Sequence, residues 1–155
     1  MLACCLALVQ AALAGEGGAV TVEQRVQSFT IGLNGSVADV TPLFGPAQGE
    51  QREGVVFTTT SGDGRDRLWL LTTYDLRSGR VEYVVMTPAF TASEIKIRVL
   101  SDGERHSRAT ITYRRSALAP EGNTEVTKLD GHWAEQQRIH WETAINKALT
   151  KSGIQ

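Results

Sequence analysis

The stretch from Pro120 to Leu149 constrains this chain more than any other, because it reads as one long helix and nothing else in the sequence can build a second of that length. Pro120 suits a first helical position, where its missing N–H costs nothing. Val126, Leu129, Trp133, Gln137, His140, Ala144 and Ala148 recur at three- and four-residue steps, which aligns them on one stripe of an α-helix. Trp141, Ile145 and Leu149 widen the stripe on one side. Lys128, Glu135, Arg138, Glu142, Asn146 and Lys147 read as the solvent side. Gly131, after Asp130, is the weak point, where the helix is expected to kink or split.

Upstream, the pattern changes from helical to alternating. Phe29, Ile31 and Leu33 alternate with Ser28, Thr30 and Gly32, predicting a first strand within Val20 to Leu33. Asn34-Gly35 breaks it, and Ser36 opens a short helix with Asp39 as its capping-box partner. Gly45-Pro46 ends that helix, and the polar run Ala47 to Gly54 is a connector. Five strand-like runs follow, over Val55–Thr60, Asp66–Tyr74, Arg80–Thr87, Ala92–Leu100 and Arg105–Ser116. The turns between them, such as Gly62-Asp63-Gly64, are short enough to join only antiparallel neighbours. Val81, Tyr83 and Val85, then Ile95, Ile97 and Val99, then Ala109, Ile111 and Tyr113 give this meander one apolar face. Leu68-Trp69-Leu70-Leu71 is apolar at both parities, so that strand is covered twice or presents an outer patch. A one-faced sheet must bury that face on something, and the C-terminal helix is the only partner long enough. The prediction is an α+β domain of about six strands in β-α-β5-α order, its curved antiparallel sheet wrapped round the terminal helix.

The chain has 155 residues, enough for a single domain with one core. A net charge of −1 gives no electrostatic case for nucleic acid or an anionic membrane surface. Residues 1–19 stand apart. Leu2 to Leu13 is apolar apart from Gln10, and Ala12-Leu13-Ala14 fits a signal-peptidase site. The run is too short to span a membrane, and no basic residue precedes Arg25, which a start codon placed too late would explain. The reading is a signal peptide followed by a periplasmic or secreted domain over residues 20–151; the alternative is an N-terminal tail on a cytoplasmic protein. Both cysteines, Cys4 and Cys5, lie in that segment, so the mature domain offers no disulfide or thiol nucleophile.

The domain resembles the SRPBCC or START-like "helix-grip" superfamily, which includes polyketide-cyclase-like proteins, lipid-transfer domains and birch-pollen-type allergens. The resemblance rests on Phe29-Thr30-Ile31, on Val37-x-x-Val40-x-x-Leu43-Phe44-Gly45-Pro46, on Gly54-Val55-Val56-Phe57-Thr58-Thr59 and on Trp69-x-x-Thr72-x-Tyr74-Asp75. It continues through Gly79-Arg80-Val81-x-Tyr83-Val84, Val85-x-Thr87-Pro88, Thr110-x-Thr112-Tyr113, Glu121-Gly122-Asn123 and Trp141-Glu142-x-Ala144-Ile145. In relatives of this kind a second short helix and a strand usually follow the Leu-Phe-Gly-Pro segment. Here roughly 15–20 residues of such an insert are missing after Pro46. The resemblance implies a cavity between sheet and helix, and the missing insert implies that one end of it stands open.

No catalytic constellation is visible. His132 and His140 lie eight apart on the helix, too far to share a metal, and no phosphate loop or nucleophile elbow occurs in context. Arg105, Arg108, Arg114 and Arg115 read as a solvated face. What remains is a lining. If the sheet curls round the helix, Trp69, Leu71, Tyr83, Val85, Ile95, Ile97, Ile111 and Tyr113 face inward, and Trp133, Gln137, His140 and Trp141 face them. Gln137 and His140 are the polar groups able to orient a ligand in such an apolar cavity. The leading expectation is a carrier or sensor of a hydrophobic small molecule (a lipid, polyketide-like or aromatic compound), with no cofactor and no metal. The second is a cyclase- or dehydratase-type enzyme using His140 with Tyr83 or Tyr113. The third is a chaperone-type or scaffolding domain making its contact through Leu68–Leu71.

Overall fold

The computed structural model describes residues 21–153, so the signal-peptide reading of 1–19 lies outside the described residues. Strands β1 (Gln24–Leu33), β2 (Val56–Thr60), β3 (Asp66–Asp75), β4 (Arg80–Thr87), β5 (Thr91–Ser101) and β6 (Ser107–Ala117) form one antiparallel sheet in the order β1-β6-β5-β4-β3-β2. Every boundary falls within a few residues of a run of alternating or β-branched residues, because pairing sets the strand and turn residues end it. Between β1 and β2 a short helix, α1 (Val37–Val40), starts on the Ser36–Asp39 capping box and runs into a 3-10 turn, Thr41–Phe44.

The predicted single helix is divided. Pro120–Gly122 is a 3-10 turn, α2 spans Asn123–Thr127, and α3 begins at Gly131 and runs to Lys151. The break falls at Asp130, whose carboxylate accepts a hydrogen bond from the backbone N–H of Trp133 at 2.8 Å and so caps a new helix. The buried line on α3 passes through Ala134, Ile145 and Leu149, with Trp133, Gln137 and Trp141 half-buried beside it. His140 and Ala144, expected on the stripe, are exposed.

Glu142 and Asn146, expected in solvent, instead hold the free edge of β1. Glu142 accepts from the N–H of Gly32 at 3.0 Å. The amide of Asn146 accepts from the N–H of Asn34 at 2.9 Å and donates to the carbonyl of Gly32 at 3.1 Å. At the other end of β1, Asn123 of α2 accepts from the N–H of Glu23 at 2.9 Å.

Residues paired directly across antiparallel strands share a face, so the register can be followed rung by rung across the sheet. One rung runs Phe29, Ile111, Ile97, Val81, and with Ile31, Leu33, Val99 and Ala109 it forms the core against Val40, Phe44, Ile145 and Leu149. This is the closed end, under α1 and the C-terminal half of α3. The connector over residues 47–55 is ordered along β3: Gly54 donates to Leu71 O at 2.8 Å, and Glu53 accepts from the Tyr74 N–H at 3.1 Å beside the bulge between Leu71 and Thr73. Leu68–Leu71 divides by parity: Leu71 is core, whereas Leu68 joins Val56 and Met86 as exposed apolar residues.

Candidate functional site

A second rung of the same inward face runs Arg25, Arg115, Ser93, Val85, Trp69, Phe57. At this level the face is no longer purely apolar, and the helix no longer fills the space above it. A cavity of about 350 Å³ opens here. Trp69, Val85, Ile95 and Tyr113 of the sheet and Trp133 and Gln137 of α3 supply its apolar and amide lining. Thr87, Thr91 and Ser93 add hydroxyls, and the two hairpin tips carrying Arg65 and Phe90 form its rim.

Aromatic packing fixes the two walls. On one side Trp69 stacks on Phe57 at 5.7 Å and meets the edge of Tyr83 at 5.7 Å, while its indole N–H donates to Thr59 at 2.9 Å. On the other, Tyr113 meets Trp133 edge to face at 5.0 Å and lies over Phe29 at 6.1 Å. Rings locked by neighbours on several sides make a preformed surface rather than a collapsible one.

Of the residues expected to face inward, Trp69, Val85, Ile95, Tyr113, Trp133 and Gln137 line this cavity together. Trp141 and His140 line an adjoining, more open recess of about 390 Å³ with Leu43, Ala144, Ile145 and Ala148, which Tyr113 and Gln137 share. His140 therefore sits at an outer rim, exposed, and not inside the sheet–helix space. Leu71, Tyr83, Ile97 and Ile111 are buried at the closed end and line neither recess. Parity puts them on the inward face but does not give the depth along the strand at which the helix makes contact.

The two tyrosines expected as acid/base groups differ. Tyr83 donates its hydroxyl to the carbonyl of Phe44 at 2.8 Å, and burial, with a lesser effect from Tyr74, holds its pKa well above the usual phenol range. Its proton is committed to fastening the 3-10 turn. Tyr113 accepts from the indole N–H of Trp141 at 3.1 Å, and its pKa is likewise raised by burial. At neutral pH its hydroxyl keeps its proton.

Arg115, expected on a solvated face, also lies elsewhere. Arg114 is exposed, but Arg115 shares the parity of Tyr113 and is half-buried in the cavity wall. Its guanidinium donates to Ser93 at 3.2 Å and to the carbonyl of Glu125 at 3.4 Å, and lies 5.9 Å from the Trp133 ring. Burial first, and the like charge of Arg67 second among the opposing effects, lower its pKa; the Glu125 carboxylate works the other way. Arg67, two residues before Trp69, lines the same space. Arg65 lies over the Phe90 ring at 3.8 Å and pairs with Asp63 at 2.6 Å. Among the described residues, no group of three or more metal-binding side chains occurs, and no helix is long and apolar enough to cross a membrane.

No protein-family model matches the chain, and no curated protein matches it in sequence. Solved structures do. Norcoclaurine synthase from Thalictrum flavum, in complex with dopamine and hydroxybenzaldehyde, superposes with a TM-score of 0.62 at 11% identity, covering 84% of this chain and 88% of that one. An Arabidopsis thaliana member of the major latex protein family gives 0.53 at 11% identity, covering 83% and 95%. A Rhizobium loti protein gives 0.51 at 15% identity, covering 83% and 96%. At these identities the likeness is one of fold: an open, curved antiparallel sheet gripping a long C-terminal helix.

Proposed function

We propose that this helix-grip chain binds a hydrophobic small molecule between its sheet and α3, as a carrier or sensor. The observation that carries the reading is the convergence of Trp69, Val85, Ile95, Tyr113, Trp133 and Gln137 on one cavity of about 350 Å³. That volume and that mixture of fixed aromatic walls with a few polar groups are usual for small-molecule sites. Affinity would come from burying apolar ligand area, at roughly 25 cal/mol per Å². The cyclase or dehydratase reading has less support, because of the groups it names Tyr83 is engaged with Phe44 and His140 is exposed at an outer rim. Export to the periplasm or outside the cell belongs to the same proposal, and a mature N-terminus at Gly15 in protein recovered from the host would support it.

The test is titration with the neutral fluorophore N-phenyl-1-naphthylamine. Saturable binding at one site, weakened about tenfold by Trp133→Ala through lost aromatic contact, supports the reading. Absence of saturable binding to the folded wild-type protein overturns it.

A further inference from the structure

The cavity wall carries more positive charge than its structural needs explain. Arg65 is matched by Asp63 at 2.6 Å and covers Phe90. Among the described residues, the Arg67 and Arg115 side chains form no ion pair, and the Arg67 side chain forms no hydrogen bond. Glu125, the other acid at this wall, pairs with Lys128 and also attracts Arg115. The lining thus holds three arginines against two acids, one positive charge in excess.

Arg115 makes that excess costly. A half-buried guanidinium loses hydration, and a neighbouring like charge raises the cost further. Its two hydrogen bonds, to Ser93 and to the Glu125 carbonyl, involve Nε and Nη1 and fix the plane of the group, while Nη2 has no partner among the described residues. A positioned donor edge of this kind matches a planar carboxylate. The hydroxyls of Ser93, Thr87 and Thr91 line the same space, as do the apolar side chains of Trp69, Ile95 and Trp133.

The geometry points to an amphipathic monoanion as the ligand, its carboxylate held at Arg67 and Arg115 and its apolar body between the Trp69 and Trp133 walls. This rests on the cavity being the binding site. Net charge at the lining is what favours a carboxylate over a phosphate monoester, whose second charge would find no counterpart.

Displacement of N-phenyl-1-naphthylamine by decanoate and by decanol at pH 7.5 tests it, since the two chains match in length and differ in the head. Decanol is the more readily dehydrated, so an empty hydrophobic cleft would prefer it. The inference expects decanoate to displace the probe at concentrations about tenfold lower than decanol. Arg67→Gln and Arg115→Gln should each cut that preference by about threefold or more while leaving decanol displacement unchanged. Equal or better displacement by decanol, or a preference that survives both substitutions, overturns the inference while the cavity reading stands. If the fluorophore itself does not bind, the cavity reading fails and takes this inference with it. Should Arg115→Gln unfold the chain, Arg67→Gln decides alone, because the exposed Arg67 side chain bonds to nothing among the described residues.

Discussion

The concave face has two ends built on the same strands at the same parity, and they are chemically unlike. On β6 the inward series is Ala109, Ile111, Tyr113, Arg115; on β5, read the other way, it is Val99, Ile97, Ile95, Ser93. The apolar halves of these series meet at the closed end, where α1, the 3-10 turn and Leu149 cover them. The polar halves meet at the open end, where α3 begins and the cavity lies. Stability should therefore reside at one end and ligand selection at the other. A strand here works as a gradient rather than as a face.

The sharpest way to break that division is Ile97→Ala. Ile97 is fully covered at the closed end, so truncation should cost about 2–5 kcal/mol in denaturant unfolding. Binding of the neutral fluorophore to the protein that remains folded should be unchanged; a loss of affinity on the scale expected for Trp133→Ala would dissolve the distinction between the ends.

Tyr83→Phe comes next. It leaves the carbonyl of Phe44 without its donor and should cost about 1–3 kcal/mol at neutral pH. The same residue carries an alkaline signature. Its folded-state pKa lies above the unfolded value, so the unfolded chain releases this proton first as pH rises. Stability should then fall above pH ~10, by about 1.4 kcal/mol per pH unit for each tyrosine that stays protonated in the fold. Melting curves of Tyr83→Phe should show a shallower alkaline decline than wild type. An identical decline would mean that Tyr113, whose pKa is raised too, accounts for it.

Asn146→Ala removes two hydrogen bonds to β1 at a partly exposed site and should cost about 1 kcal/mol. The smallest effect belongs to Ser107, whose buried hydroxyl has no partner. Ser107→Ala should leave stability unchanged or raise it by about 0.5 kcal/mol, the opposite sign from a buried hydroxyl that is bonded.

Most of the fold was readable because alternation and turn residues report pairing directly. Ser36 and Asp39 marked a helix start that forms as their chemistry requires, and Gly131 marked the site where the long helix divides. The depth of contact was not readable. Whether Ile97 or Ile95 meets the cavity depends on where α3 sits along the strands, which no local pattern encodes. His140 differs for a related reason: beyond Gln137 the buried line of α3 runs through Trp141, Ile145 and Leu149, one residue on from His140, Ala144 and Ala148. Arg115 was within reach. Counting by two from Tyr113 places it inward, whereas the charge of the Arg114-Arg115 dipeptide points to a solvated pair, and parity is the better guide.

The attachment of β1 has a bearing on self-association. Backbone groups at both ends of that edge are already engaged, Glu23 by Asn123 and Gly32 with Asn34 by Glu142 and Asn146. An incoming strand cannot lie along it without displacing two helices. The opposite margin of the sheet, β2, has no such cover among the described residues and is flanked by exposed Val56 and Leu68. Growth of a fibre by strand addition needs two sticky margins per subunit, and the described residues offer one. Two copies meeting through β2 would consume both available edges, so polymerisation by this route ends at a pair.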